Sequence, residues 1–462
     1  MPPTVNIDEL QPGMFVHLDL GWWAHPFALS SFVIISAEQI AAIRGLGLKK
    51  LRWSPEKSQL ASTASGPAVD GPTDRGAAPA ATLDAVSDAA TLSTDLAPPM
   101  PRVEAVLPAC ADTANTAGTD ADTESARHRA QLAEQRQAER LCAAQLGEAR
   151  QGWLQACAQM VHKPELARDM ADGLTRSVMS KLLDTSNHEL CVRVLADLPG
   201  DAGAAHALNV MVVSLMVGKV CGLEAAQMHH LGLGALLHDI GKLALSAKAQ
   251  HVEAGACAAD LAMYRSHVAL GVTLGQRMGL GAEVLQVLAQ HHEMADGSGF
   301  PRRLRQDDMG QPARIVALIN RYDNLCNPHQ PALALTPHEA LAALFAQSRS
   351  QFDLSVLNSF IRMMGVYPPG STVQLSDERF ATVVSVNPSR PLKPRVLVCD
   401  LNIAAEDALL TDLDHRPDLG IRRSVKPQQL PAAVRAYLQP QTRMVYFFEP
   451  LAITQPVHEL SA

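Results

Sequence analysis

The sequence predicts a mainly α-helical protein with a small α+β domain at its amino end and a short β-rich extension at its carboxyl end. Three observations carry that expectation. Helical periodicity dominates residues 161–370, where Gly and Pro fall mostly at breaks. Short runs of β-branched and aromatic residues frame this region on both sides. Between the amino-terminal runs and the helices, residues 56–122 are Ala, Pro, Ser, Thr, Asp and Gly with almost no large apolar side chains. Such a stretch cannot bury a core and reads as a disordered linker.

Within residues 1–55, GMFVHLDLGWW and SSFVIIS have strand composition, punctuated by Gly13 and Gly21. The stretch SAEQIAAIRGLGLKKLRW then predicts a short helix capped by Ser36, stopped at Gly45–Gly47, and a last strand. Trp22 and Trp23 read as the core of this small domain. Residues 123–160, rich in Ala, Gln, Glu and Arg, predict a connecting helix whose polar sides suit self-association into a homodimer. Past residue 370, TVQLS, ATVVSVN and PRVLVCD alternate like strands of a small sheet, and PAAVRAYL and RMVYFFEP add one helix and one strand to the 371–462 extension.

Composition narrows the function. A net charge of −8 over 462 residues argues against a general DNA binder, which needs a basic face. The eight cysteines are scattered and form no C-x-x-C, so they read as free thiols in a reducing compartment. The amino terminus has no hydrophobic run to serve as a signal peptide. The most apolar stretch, around Ala204–Leu223, carries His206, Asn209, Ser214 and Lys219, too polar and too short for a membrane span. A cytoplasmic protein is expected.

Two segments carry candidate chemistry. In LGLGALLHDIGKLAL (231–245), His238 and Asp239 end an apolar helix that Gly241 can terminate, with Lys242 placed to meet a phosphate oxygen. In HHEMADGSGFP (291–301), His291 and His292 precede a turn rich in glycine and proline. His206 shares a helix face with Val210, Val213 and Val217, and His291 follows Val284 and Leu288 on another. Singly, each is more readily a satisfied core histidine than a ligand. Five of them, His206, His238, His267, His291 and His292, punctuate one helical domain beside an Asp. Imidazoles with a carboxylate suit Fe, Mn, Zn, Ni or Co better than Mg or Ca. The intervals exceed those of a zinc finger, so the ligands must converge through tertiary structure.

HDIGK, then the histidine of YRSHV, then HHEMADGSGFP, in that order, closely resemble the HD-GYP family of bacterial cyclic-di-GMP phosphodiesterases, within the HD metal-dependent phosphohydrolases. The resemblance covers about residues 200–370. Residues 5–54 are similar to a small domain of unknown function often attached to such proteins, and YPPGSTVQLSDERFATVVSVN to their strand-rich tail. The resemblance implies that His206, His238, Asp239, His267, His291 and His292 are metal ligands, with Asp239 bridging two divalent transition-metal ions. Iron or manganese is expected first, with nickel, zinc or cobalt as alternatives. It also implies a catalytic role for Asp239 and Lys242, and substrate contacts from Lys242, Gly297, Gly299, Phe300 and Pro301. Glu293, Asp296, Arg314 and Asp323 are expected behind the ligands; Arg314 could pair with one of the two acidic residues of the turn, but a structural salt bridge is the stronger reading. The implied activity is hydrolysis of cyclic-di-GMP to pGpG or GMP in second-messenger signalling. Signalling partners would meet the Gly-Phe-Pro loop or the amino-terminal domain.

The sequence departs from the family pattern in five places. Asn320 stands where an Asp ligand is expected, leaving a neutral and weaker donor. Ala202 replaces the Glu of a third ion site. PHQPALALT (328–336) lacks the expected Lys and Arg, Phe300 replaces Tyr, and Met294 replaces Arg. These predict reduced activity. The alternative reading is a catalytically degenerate module that senses cyclic-di-GMP or serves as a protein-interaction platform.

Overall fold

A computed structural model describes residues 3–18, 31–34, 40, 43–44, 48–58, 117–183, 188–196, 202–252 and 255–452. The chain divides into two compact units, Met1–Glu124 and Ser125–Ala462. The first is a four-stranded antiparallel sheet built from β1 (Thr4–Asn6), β2 (Phe15–His17), β3 (Ser31–Val33) and β4 (Lys50–Trp53), in the order β1-β4-β2-β3. Its core gathers Val5, Ile7, Leu10, Met14, Val16, Leu18, Ile34 and Leu51. Trp22, Trp23 and most of the helix expected after Ser36 lie outside the described residues.

Next comes α1 (Ala117–Gln159), the expected connecting helix. It buries Cys142, Leu146, Ala149, Trp153 and Ala156, three or four residues apart, so its second half is also a wall of the second unit's core. The helices that follow are α2 (Pro164–Leu183), α3 (Ala202–Val220), α4 (Ala225–Leu237), α5 (Ala258–Met278), α6 (Ala282–Gln290), α7 (Gln311–Cys326), α8 (Pro337–Gln347) and α9 (Leu354–Met364). Every residue of α3 from Ala207 to Gly218 is buried, not only the stripe below His206. Among the described residues α3 is the one helix long and apolar enough to cross a membrane, and here that apolarity faces neighbouring helices and strands.

One strand interrupts the helices. β5 (His188–Leu195) was expected to be helical, yet it pairs antiparallel with β11 (Val445–Ala452) along its whole length. Its sequence alternates, and the polar member Arg193 is buried because it meets the buried Glu449 at 2.8 Å. The partner strand lies about half the chain away, so no local pattern announces the pairing. The remaining strands are β6 (Thr372–Leu375), β7 (Phe380–Val386), β8 (Arg395–Val398), β9 (Thr411–Asp412) and β10 (Ile421–Ser424), with α10 (Ala432–Leu438) before β11. The sheet runs β10-β6-β7-β5-β11, with β8 on β7 and β9 on β8. Val445, Tyr446, Phe447 and Phe448 join the helical core, so the carboxyl-terminal strands are part of the helical unit and not an appendage. The seven cysteines among the described residues form no disulfide.

Candidate metal centre

Four segments deliver the five histidines. His206 sits in the first turns of α3, and His238 follows the last residue of α4, with Asp239 next to it. His267 lies in the middle of α5, and His291 and His292 follow α6. The HD turn is held against α5 by Gly241. A Cβ there would lie 1.9 Å from the His267 carbonyl oxygen and 2.5 Å from the Gly271 nitrogen. The sequence predicts Gly241 as a helix terminator. Its actual duty is close approach within a 3-10 turn, Ile240–Ala244, that brings Asp239 and His267 together.

The imidazoles are aimed by their backs. His238, His267 and His291 each donate Nδ1–H to the carbonyl three residues earlier, at 2.7, 2.6 and 2.8 Å. His206 instead turns Nδ1 to Asp323 Oδ2 at 2.6 Å. Each Nε2 is thereby turned inward, where Nε2 of His206 and His238 stand 3.2 Å apart, as do those of His267 and His291. Asp239 divides its carboxylate between the two pairs. Its Oδ2 lies 3.5 and 3.3 Å from His206 and His238, and its Oδ1 lies 3.5 and 3.7 Å from His267 and His291. Two groups of donors result, His206 with His238 and Asp239, and Asp239 with His267, His291 and His292.

These residues fit a pair of divalent metal ions. With Nδ1 of His267 and His291 both donating, their facing Nε2 lone pairs repel unless a cation lies between. Asp239 Oδ1, beside them, is buried without a hydrogen-bond donor, which is costly in a folded protein. Metal–nitrogen bonds of ~2.0–2.1 Å put neighbouring ligand atoms roughly 3 Å apart, the spacing found here.

Electrostatics agree at three of the five histidines. Burial lowers the pKa of His238 and of His267 to about 4, and that of His292 well below its usual value, which keeps these rings neutral and able to ligate. At His206 burial works the same way, but hydrogen bonds to Asp239 and Asp323 overcome it and raise the pKa to about 9. Burial also opposes ionisation of Asp239, yet Lys242, His238 and His206 hold its carboxyl well below the ordinary range. Lys242 Nζ is 2.6 Å from Asp239 Oδ2.

Asp323 is the residue behind His206. Its other oxygen accepts from Asn209 Nδ2 at 2.7 Å and Asn327 Nδ2 at 2.9 Å. Both amides also donate to the Met444 carbonyl at 2.8 Å, so the segment entering β11 is tied to the metal centre. Asn320 is buried, and its side-chain oxygen already accepts from Asn324 Nδ2 at 2.6 Å.

Three expected supporting residues do something else. Glu293 is buried and accepts the backbone N–H groups of Arg302 and Leu304 at 2.6 and 2.8 Å, which fastens the glycine-rich loop. Asp296 accepts from the Ser298 amide at 2.9 Å within that loop. Arg314 pairs with Asp353 at the start of α9, not with either acid of the turn, because α7 presents it to that helix. The expected substrate contacts also separate. Lys242 and Asp239 line a cleft of about 370 Å³ with His206, whereas Gly297, Gly299, Phe300 and Pro301 line a different depression with Arg265 and Arg303. Phe300 stacks on His292, ring centroids 4.6 Å apart, and the Arg265 guanidinium lies 5.0 Å from the Phe300 ring. A Cβ on Gly299 would lie 2.4–2.5 Å from the Met294 nitrogen, Glu293 Cα and His292 carbonyl, so the loop is folded back onto the HHE segment.

Sequence reasoning missed Tyr264, Asn209, Asn327, His251 and Arg443. Tyr264 OH is 3.5 Å from His292 Nε2, and its place three residues before His267 was the available signal. Asn209, three residues after His206, was a polar residue on an apolar helix. His251 stacks on His329 in the cleft wall, centroids 3.9 Å apart.

Comparison with known proteins gives matches over both parts of the chain. The HD domain family matches residues 180–356, the span that holds the metal-ligand clusters, and a domain of unknown function (DUF3391) matches residues 4–169. The chain is 28% identical over 235 residues to a cyclic di-GMP phosphodiesterase of Pseudomonas aeruginosa, covering 50% of the chain and 55% of the relative. It is 22% identical over 191 residues to the cyclic di-GMP phosphodiesterase PdeB of Borreliella burgdorferi, covering 41% and 50%. The chain thus spans about half the length of these curated relatives. Among solved structures, an HDG"Y"P protein of Bdellovibrio bacteriovorus is 20% identical, with a TM-score of 0.39, over 48% of this chain and 71% of that one.

Proposed function

We propose that this chain is a metal-dependent phosphodiesterase that hydrolyses cyclic-di-GMP to the linear dinucleotide or GMP. The observation that carries the reading is Asp239, whose two oxygens face two separate imidazole groups. His206, His238, Asp239, His267, His291 and His292 would hold two divalent ions, which would supply Lewis acidity for a phosphate oxygen and lower the pKa of water toward neutrality. The chain's own residues do the rest. Asp323 fixes the tautomer and direction of His206, and the backbone carbonyls do the same for His238, His267 and His291. Lys242, beside Asp239, brings a positive charge to the cleft edge where a phosphate would sit. The donor set, five imidazoles and one carboxylate, favours iron or manganese over magnesium or calcium, with nickel, zinc or cobalt as substitutes. The similarity to relatives named cyclic di-GMP phosphodiesterases supports the substrate.

The test is hydrolysis by protein purified without oxygen and loaded with Fe²⁺ or Mn²⁺. Release of pGpG or GMP from cyclic-di-GMP, abolished by Asp239→Asn together with metal loss, is the expected outcome. Binding of cyclic-di-GMP without product at any metal loading would replace the enzyme by a receptor.

A further inference from the structure

The sequence leaves the substrate short of cations. A cyclic dinucleotide carries two phosphodiesters, the stretch 328–336 has no Lys or Arg, and Lys242 is drawn to Asp239 Oδ2 at 2.6 Å. The cleft beside the metal centre has a second permanent cation from an unexpected place. Among its lining residues that are described, the only Lys or Arg side chains are Lys242 and Arg443, and the only acid is Asp239. Arg443 comes from the segment just before β11, more than a hundred residues past the last metal ligand.

Its position is not that of a loose terminus. The next residue, Met444, donates its amide to Asn327 Oδ1 at 2.8 Å and receives Asn209 and Asn327 on its carbonyl, and Asn209 Oδ1 accepts the Tyr446 amide at 2.9 Å. The same two asparagines hold Asp323, which orients His206. The backbone carrying Arg443 is therefore set by the same hydrogen-bond network that sets a metal ligand.

We propose that Arg443 binds a phosphate of the dinucleotide substrate, so that the carboxyl-terminal strand completes the cleft opened by the helices. This rests on the phosphodiesterase reading above. A guanidinium presents paired donors that match phosphate oxygens, and one such charge-assisted contact is worth roughly a tenfold to hundredfold in affinity.

The experiment compares wild type, Arg443→Ala and Arg443→Lys, all metal-loaded, on cyclic-di-GMP and on bis(p-nitrophenyl) phosphate, with metal content and melting temperature measured on the same samples. The expected result is a KM for cyclic-di-GMP raised at least tenfold in Arg443→Ala, with kcat within about threefold and partial recovery in Arg443→Lys. The preference for the dinucleotide over the small diester should fall by the same factor. A wild type active on cyclic-di-GMP with an unchanged KM in Arg443→Ala overturns the assignment and leaves the activity standing. Equal losses on both substrates accompanied by metal loss also overturn it, since Arg443 would then be structural. A wild type that cleaves the small diester but neither binds nor cleaves cyclic-di-GMP overturns the function and this assignment together.

Discussion

Asp323 shows how much of the centre depends on a residue that touches no reacting atom. It holds Nδ1 of His206 at 2.6 Å and is itself gripped by Asn209 and Asn327. The carboxylate both selects the tautomer of His206 and makes its inward nitrogen a better donor. Asp323→Asn should keep the hydrogen-bonding shape but lose the charge. We expect metal affinity to fall about 10–100-fold, read by competition with a chelating dye, with the melting temperature nearly unchanged. Equal affinity in the two proteins would show that His206 is oriented by packing alone. At this scale the sequence was legible where chemistry is contiguous: HDIGK and HHEMADGSGFP marked His238, Asp239, His291 and His292 without any structure. Arg443, Asn209 and Asn327 were opaque, because a lone polar residue signals nothing until the fold gives it a partner.

The elements are positioned by small close contacts whose loss can be measured. Gly241 lets the 3-10 turn after α4 lie against the backbone of α5, where a Cβ has no room. The clash is with backbone atoms, which cannot swing aside. Gly241→Ala should therefore separate Asp239 from His267 and cost most of the bound metal. Metal analysis of the purified variant checks this, and full occupancy would mean that α5 can shift freely. A second contact fixes α9. Asp353 accepts the Ser355 amide at 2.8 Å and pairs with Arg314. Burial raises its pKa, but the Ser355 and Val356 hydrogen bonds and Arg314 outweigh it and hold the carboxyl below the ordinary value. A depressed folded-state pKa gives stability that is complete above the unfolded value, ~3.9, and is lost as pH falls through the folded one. Asp353→Asn should thus flatten the decline in urea midpoint below about pH 4 and lower the midpoint above it. An identical pH profile in both proteins would remove this carboxylate from the acid response. The helices themselves were foreseeable from periodicity. β5 was not, since its alternation is only eight residues long and both of its neighbouring strands lie far along the chain.

Across the whole Ser125–Ala462 unit, the helical bundle and the strands after it share one core. Tyr446, Phe447 and Phe448 pack with residues of α1, α3 and α7, so the boundary the sequence suggests near residue 370 is a change of secondary structure and not of domain. Patterning announces where helices give way to strands. It does not announce that β11 returns to the middle of the helices, because an apolar run such as VYFF looks the same in either core.

The division of Asp239 between two histidine groups has a consequence for how ligands assemble there. Two divalent cations held there would bring four positive charges to a site whose only directly facing carboxylate among the described residues supplies one negative charge, Asn320 being neutral. The second cation would enter against the repulsion of the first, and an incoming phosphate would relieve it. Thermodynamic reciprocity then requires that phosphate tighten metal by the same factor by which metal tightens phosphate. Under the proposed function, cation occupancy would itself be a reading of dinucleotide concentration, with Asp239 as the shared ligand through which the coupling would run.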